Sequence, residues 1–242
     1  MKPFLLLGTR EHDEAARAEY ESTRRLAGLR PDELAWFRLD KQALPDIDPN
    51  DYSGVILGGS GYCVSDTDKS AVQRRAERDM AALVETALER DFPFLGICYG
   101  MGVLAANTGG VVSHDAGEPV CAVEIALTDE GRRDPLLDGI PDTFEAFVGH
   151  KESVVELPPD GVLLGSGQLS RVQLMRVGRC AYATQFHPEL DIPALAERME
   201  IYKHDGYFDP DEMDQILLDA HASGVDGTQH EILRNFVRRF AS

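Results

Sequence analysis

The sequence predicts an α/β protein built on a doubly wound, mostly parallel sheet with helices on both faces. Two observations carry this. Strand-length apolar runs stand at PFLLLG, SGVILGGSGY and PFLGI, and segments of helical periodicity lie between them. A change of texture after Gly110, to short alternating stretches joined by turns, adds an antiparallel or mixed extension to that sheet.

Taken in order, residues 3 to 8 read as a buried strand, and the Glu-, Ala- and Arg-rich run from Glu11 to Leu29 as a helix stopped near Pro31. LAWFRLD is a second strand and SGVILGGSGY a third, ending in a glycine cluster. A long amphipathic helix spans Lys69 to Arg90, with Val72, Ala76, Met80, Leu83, Val84 and Leu88 on one face, and Pro93 then opens the strand PFLGI. Beyond Gly110, VCAVEIALT, TFEAFVGH, SVVELP, GVLLGSG and LMRVGRCAYATQFH supply the short strands. From about residue 192 the chain is helical again in three amphipathic segments, IPALAERMEIYKHDGYF, DPDEMDQILLDAHASG and TQHEILRNFVRRF. The second is capped by Asp209 with Pro210 at its first position.

Length and charge bound the function. A chain of 242 residues suffices for one sizeable core, and residues 1–242 read as a single domain. Its 24 Lys plus Arg against 42 Asp plus Glu give a formal net charge of -18, which repels phosphate backbones and anionic lipid, so neither nucleic acid nor membrane is an expected partner. The apolar run in MKPFLLLGTR is too short for a signal segment, and no stretch approaches transmembrane length. Cys63, Cys98, Cys121 and Cys180 are widely spaced without metal-binding patterns, which fits a reducing cytoplasm and predicts no metal or other cofactor.

Three segments carry chemistry. In FPFLGICYGMG a buried strand meets Gly-x-Cys-x-Gly and then a helix-compatible run, the layout of a nucleophile elbow. The helix that follows aims its N-terminus at Cys98, which favours thiolate. Alone, the segment reads equally well as a packed strand end. YATQFHPEL ends an apolar strand with His187, Pro188 and Glu189, a base and an acid two positions apart. A thiol attacking an amide needs an imidazole to carry its proton, and the imidazole needs a carboxylate to hold its tautomer. Third, the glycines of VILGGSGY expose backbone N–H groups, and Gly59 with Tyr99 are the expected donors to a tetrahedral oxyanion.

The segments GGS, GICYG and QFHPE, in this order and spacing over roughly residues 50 to 190, resemble class I glutamine amidotransferase domains, most closely the free-standing relatives of the amidotransferase part of GMP synthetase. The resemblance implies a flavodoxin-like fold and a Cys98–His187–Glu189 triad. The triad would hydrolyse L-glutamine, or another γ-glutamyl compound, through a thioester on Cys98, with ammonia passed to a separate synthetase subunit. It also implies a substrate pocket formed by Gly58, Ser60, Gly102 and the GHKESV segment, with His150, Lys151, Glu152 and Ser153. A satisfied strand-end histidine is the alternative for His150. Two features depart from the family pattern: Gly102 stands where the family has a substrate-binding glutamine, and no ATP-pyrophosphatase glycine loop is present. The competing readings are a γ-glutamyl peptidase using the same triad, a PfpI-like redox protein, whose usual histidine after the cysteine is here Tyr99, and a non-catalytic module of the same fold.

Overall fold

A computed structural model describes residues 1–242. In chain order its elements are β1 (Phe4–Gly8), α1 (Asp13–Leu26), β2 (Leu34–Arg38), β3 (Gly54–Leu57), α2 (Ala71–Glu89), β4 (Phe94–Ile97), α3 (Tyr99–Ala106), β5 (Val111–Ser113), β6 (Glu118–Leu127), α4 (Asp129–Arg133), β7 (Thr143–His150), β8 (Ser153–Glu156), β9 (Gly161–Ser166), β10 (Leu174–Val177), β11 (Ala181–Thr184), α5 (Ile192–Ile201), α6 (Met213–Ala222) and α7 (His230–Phe240). Nine strands form one sheet in the order β2-β1-β3-β4-β11-β10-β9-β6-β7. The first five pair in parallel and the rest antiparallel, so the expected parallel sheet with an extension is present.

Alternation along each parallel strand fills both faces. Phe4 and Leu6 of β1 enter one core with Ile56, Leu95 and Ile97, closed by Leu26 of α1 and by Ile232, Leu233 and Phe236 of α7. Leu5 and Leu7 enter the other with Val55, Leu57 and Phe94, closed by Met80, Leu83 and Val84 of α2 and Met101 and Leu104 of α3. Strands buried on both faces need continuous apolar runs, which is why they were readable. A third cluster, with Phe147, Leu190, Leu195, Met199 and Ala220, seats α5 and α6 beside the antiparallel half.

Two details differ from the sequence reading. SVVELP leaves the main sheet, because β8 pairs with β5 in a separate two-stranded ribbon. Asp209 does cap a turn, its Oδ1 accepting from the Asp211 N–H, but that turn is a 3-10 piece over Pro210–Glu212, and α6 starts only at Met213.

Candidate active site

Register brings the chemistry together. β4 lies between β3 and β11, with Leu57 opposite Gly96 and Ile97 opposite Thr184. The residues after these three strand ends, Gly58–Ser60, Cys98 and Gln185–Glu189, therefore leave the sheet side by side at its carboxyl edge, where ligands bind open α/β sheets. Cys98 occupies the left-handed region at φ 52°, ψ −98°, a conformation that costs a non-glycine residue on the order of 1–3 kcal/mol. Neighbours hold it there: its N–H donates to Thr184 O at 2.7 Å, and its carbonyl accepts from the Met101 N–H at 2.9 Å. The flanking glycines are required by close approach. A Cβ on Gly96 would stand 2.5 Å from Gly100 O, and one on Gly100 would stand 2.6 Å from Leu57 O.

His187 Nδ1–H donates to Glu189 Oε1 at 2.7 Å, both side chains being buried. Arg198 from α5 donates through Nη1 to the same oxygen at 2.9 Å and lies 3.1 Å from His187 Nδ1. Cys98 and His187 line one cavity, yet no hydrogen bond joins them; the group within reach of the sulfur is Gln185 Nε2 at 3.8 Å.

Charge at the site follows from burial. Burial pushes the Cys98 thiol up to about 12, against the opposing pull of Arg10, and Glu189 and Glu152 add to the rise. Burial of the sulfur thus acts against the thiolate that the α3 N-terminus favours. Burial also lowers His187 below its ordinary value; Glu189 opposes this, while Arg198 and Arg10 reinforce it. Burial alone would raise Glu189, but His187 and Arg198 hold it well below the usual carboxylate range. Burial thus disfavours the charged form of both the Cys98 thiol and the His187 imidazole.

The other expected residues divide. Tyr99 is the first residue of α3, so its N–H has no partner inside the helix. Gly59 differs from expectation: its N–H already donates to Glu19 Oε1 at 3.1 Å. Gly58 admits Glu19 closely, its Cβ position lying 2.5 Å from Glu19 Oε2. Ser60, Gly102, His150, Lys151, Glu152 and Ser153 all line a cavity that reaches Cys98. Several are nonetheless engaged by the protein. His150 faces Glu118 Oε2 and Glu152 O, each at 2.9 Å. Glu152 accepts from the N–H groups of Val64 and Ser65 and from Ser65 Oγ, pinning that loop. Ser153 Oγ donates to Ala116 O. Lys151 has no carboxylate partner, and its Nζ rests 4.4 Å from the centre of the Tyr207 ring. A Cβ on Gly102 would meet Val64 at 3.1 Å and Glu152 at 3.4 Å, so no space remains there for a glutamine side chain without moving that loop.

Sequence reasoning missed Arg10, Gln185, Arg198 and Tyr207. Gln185 lies inside the QFHPE motif and could have been found; the arginines and Tyr207 carry no local signature. Cys63, Asp66 and His114 bring potential ligand atoms within 4.8 Å of one another. Internal bonds account for that cluster: Asp66 accepts the Cys63 N–H, and the His114 ring faces Ser65 Oγ and Lys151 O.

A strained cysteine elbow beside a buried histidine–glutamate pair, at the carboxyl edge of a parallel sheet, is the equipment of a thiol acyl-transfer protein. The family model described as glutamine amidotransferase class-I matches residues 24–199, and the chain belongs to that family. A protein of Ignicoccus hospitalis, named as one subunit of a glutamine-hydrolyzing GMP synthase, is 31% identical over 148 residues, covering 61% of this chain and 72% of that one. The glutamine-hydrolyzing GMP synthase of Thermosipho africanus is 28% identical over 168 residues, 69% of this chain but only 29% of that protein. The match thus spans under a third of that longer relative. A crystal structure of a glutamine amidotransferase from Thermotoga maritima superposes with a TM-score of 0.78 at 20% identity, covering 99% of this chain and 98% of that one, which establishes the flavodoxin-like fold. No helix is long and apolar enough to cross a membrane.

Proposed function

We propose that this protein is a glutaminase of the amidotransferase type, hydrolysing the side-chain amide of L-glutamine through a γ-glutamyl thioester on Cys98. The observation that carries the reading is the β4–β11 register, which sets the elbow cysteine beside the His187–Glu189 pair. Cys98 Sγ attacks the amide carbon as His187 takes the thiol proton. The Tyr99 N–H and the Gln185 amide are suited to the developing oxyanion, and Gly59 can join them if its N–H is released from Glu19. His187 returns the proton to the departing nitrogen, then activates the water that frees glutamate. In the glutamyl cavity, the unpaired Lys151 ammonium suits the substrate α-carboxylate. Ammonia passes to an acceptor enzyme on a separate chain, a reading supported by the Ignicoccus relative, whose name makes it one subunit of a synthase.

Intact mass and glutamate release test this. The wild type should form a Cys98 acyl adduct with glutamine, and Cys98→Ala should form none while keeping its fold. His187→Asn should lose about 10²- to 10⁴-fold in rate, and Glu189→Gln less, because losing the proton carrier is worse than loosening its orientation. A Cys98→Ala protein that still turns over glutamine would refute the assignment.

A further inference from the structure

One cluster of ligand-type side chains stands outside the candidate triad. Cys63 and Asp66 lie on the loop after β3, and His114 opens the 3-10 turn that follows β5; their sulfur, carboxylate oxygen and ring nitrogen come within 4.8 Å of one another. The bonds that hold these residues together use other atoms. Cys63 is anchored by its backbone, its N–H donating to Asp66 Oδ2 at 3.1 Å and its carbonyl accepting from Gln73 Nε2 at 2.9 Å. Its Sγ makes no hydrogen bond, although the residue is only 6% exposed. Asp66 keeps Oδ1 without a protein donor.

His114 is oriented as a ligand. Its Nδ1 faces Lys151 O at 2.9 Å, and a carbonyl only accepts, so Nδ1 carries the hydrogen. In the neutral ring Nε2 then presents a lone pair. Its neighbour, Ser65 Oγ at 3.1 Å, cannot serve that lone pair, because Ser65 donates its one hydroxyl hydrogen to Glu152 Oε2 at 2.6 Å. A ring fixed through Nδ1–H on a backbone carbonyl, with Nε2 left free, is the arrangement by which proteins orient a metal-binding histidine. The surroundings suit a cation, since Glu152 and Asp66 act on the Cys63 sulfur with negative charge and Lys151 alone opposes them.

We propose that Cys63, Asp66 and His114 form a binding site for a zinc-type divalent cation. Thiolate, imidazole and carboxylate together suit zinc, and three protein ligands leave the fourth tetrahedral position to water. With Zn–S of about 2.3 Å and Zn–N and Zn–O of about 2.0–2.2 Å, a closure of about 1 Å brings all three atoms onto one ion. His114, exposed on its short turn, is the residue free to make it. Binding exchanges the thiol proton for the metal and releases that proton to solvent; nothing is oxidised or reduced. The ion ties the loop after β3 to the turn after β5. Cys63 of that loop and Val112 of β5 line the glutamyl cavity, so the metal is a strap on the cavity wall and takes no part in acyl transfer. Sequence concealed the site, since Cys-x-x-Asp with a histidine far downstream matches no metal-binding spacing.

The test titrates zinc, and cobalt as its coloured substitute, into the wild-type protein and into Cys63→Ser, His114→Ala and Cys98→Ala. Expected for the wild type are one zinc per chain, a near-ultraviolet thiolate-to-cobalt absorption, and a Tm raised by about 5 °C or more at about a hundredfold excess over Kd. Cys63→Ser should abolish the cobalt–thiolate absorption. Cys63→Ser and His114→Ala should each weaken zinc by more than about 100-fold, beyond the cost of losing a group that only orients a ligand. Because His114 is exposed, its variant keeps the fold whatever happens at Cys63. Cys98→Ala should bind as the wild type does, which excludes the other cysteine and histidine that share a cavity, Cys98 and His187. A wild type without the cobalt–thiolate absorption would overturn the proposal, as would zinc binding that survives both Cys63→Ser and His114→Ala. Loss of binding in Cys98→Ala alone would place the ion on the nucleophile and overturn it equally. None of these readouts needs turnover, so the glutaminase reading stands or falls separately.

Discussion

Arg198 gives the candidate site a control that neither histidine nor glutamate could exert alone. Its guanidinium shares one Glu189 oxygen with His187 and lies 3.1 Å from the ring nitrogen. Once Nδ1 carries the proton donated to Glu189, Arg198 faces the ring as a second donor and a positive charge. It therefore opposes imidazolium, adding to the lowering that burial imposes on His187. Removing that charge raises the value at which His187 gains a proton, so Arg198→Gln should move the acid limb of the kcat/KM profile to higher pH. A uniform fall in rate with an unmoved limb would mean that Arg198 only packs. This contribution was not legible in the sequence, because an arginine nine residues beyond Glu189 looks like any other charge on an amphipathic helix. The motif residues were legible because each belongs to a spacing that chemistry requires. The sense in which burial shifts Cys98 and His187 was not, because burial is set by the whole fold.

At the scale of elements, the elbow depends on backbone approaching backbone. Gly100 sits in the first turn of α3, where an added Cβ would press on the Leu57 carbonyl at 2.6 Å. A main-chain oxygen in a central strand cannot swing aside, so Gly100→Ala should cost about 1–3 kcal/mol, the range for overpacking a tight core. It should also lower acylation by shifting α3 and its Tyr99 N–H. Gly61→Ala is the control: its Cβ would lie 3.6 Å from Tyr207 Oη, an ordinary contact. Denaturant midpoints of the two variants decide the matter, and equal stability would mean that α3 moves freely on β3. The glycine pattern was readable because glycines stand in or just after the apolar strands β1, β3 and β4. What could not be read was that β11, arriving 84 residues after β4, inserts beside it. Strand order is set by long-range packing, and a four-residue strand carries no label for its neighbour. The same limit hid β5, whose three residues pair with β8, and the five-residue α4, too short for helical periodicity to register.

Across the whole molecule, pH acts on surface and interior in opposite senses. With 42 acidic side chains against 24 basic ones, acidification relieves surface repulsion and favours the compact state. The interior responds the other way. His187 and His230 are both held below the ordinary histidine value of 6.5, burial being the largest cause for each. For His230, the hydrogen bond to Pro188 O, Asp191 and Glu189 oppose that lowering and Arg234 reinforces it. A depressed histidine means that, as pH falls below 6.5, the unfolded chain takes up a proton the folded chain refuses. Stability from these groups is intact above 6.5 and declines from there toward their lowered folded values. Glu118, held below its ordinary 4.5 by His150, Gln173 and the Ser170 N–H against the effect of burial, extends the loss to more acidic pH. Surface relief cancels when two nearly identical proteins are compared, so His230→Gln isolates one interior contribution. At pH 7.5 the variant should be less stable by about 1 kcal/mol, from the lost Nδ1–H bond to Pro188 O at 2.7 Å. As pH falls from 7.5 to 5.5 the gap in Tm should narrow, since only the wild type retains that proton linkage. Melting curves of both proteins across this range test the sign, and a gap that widened on acidification would show that His230 is stabilised by its charge rather than by its neutrality.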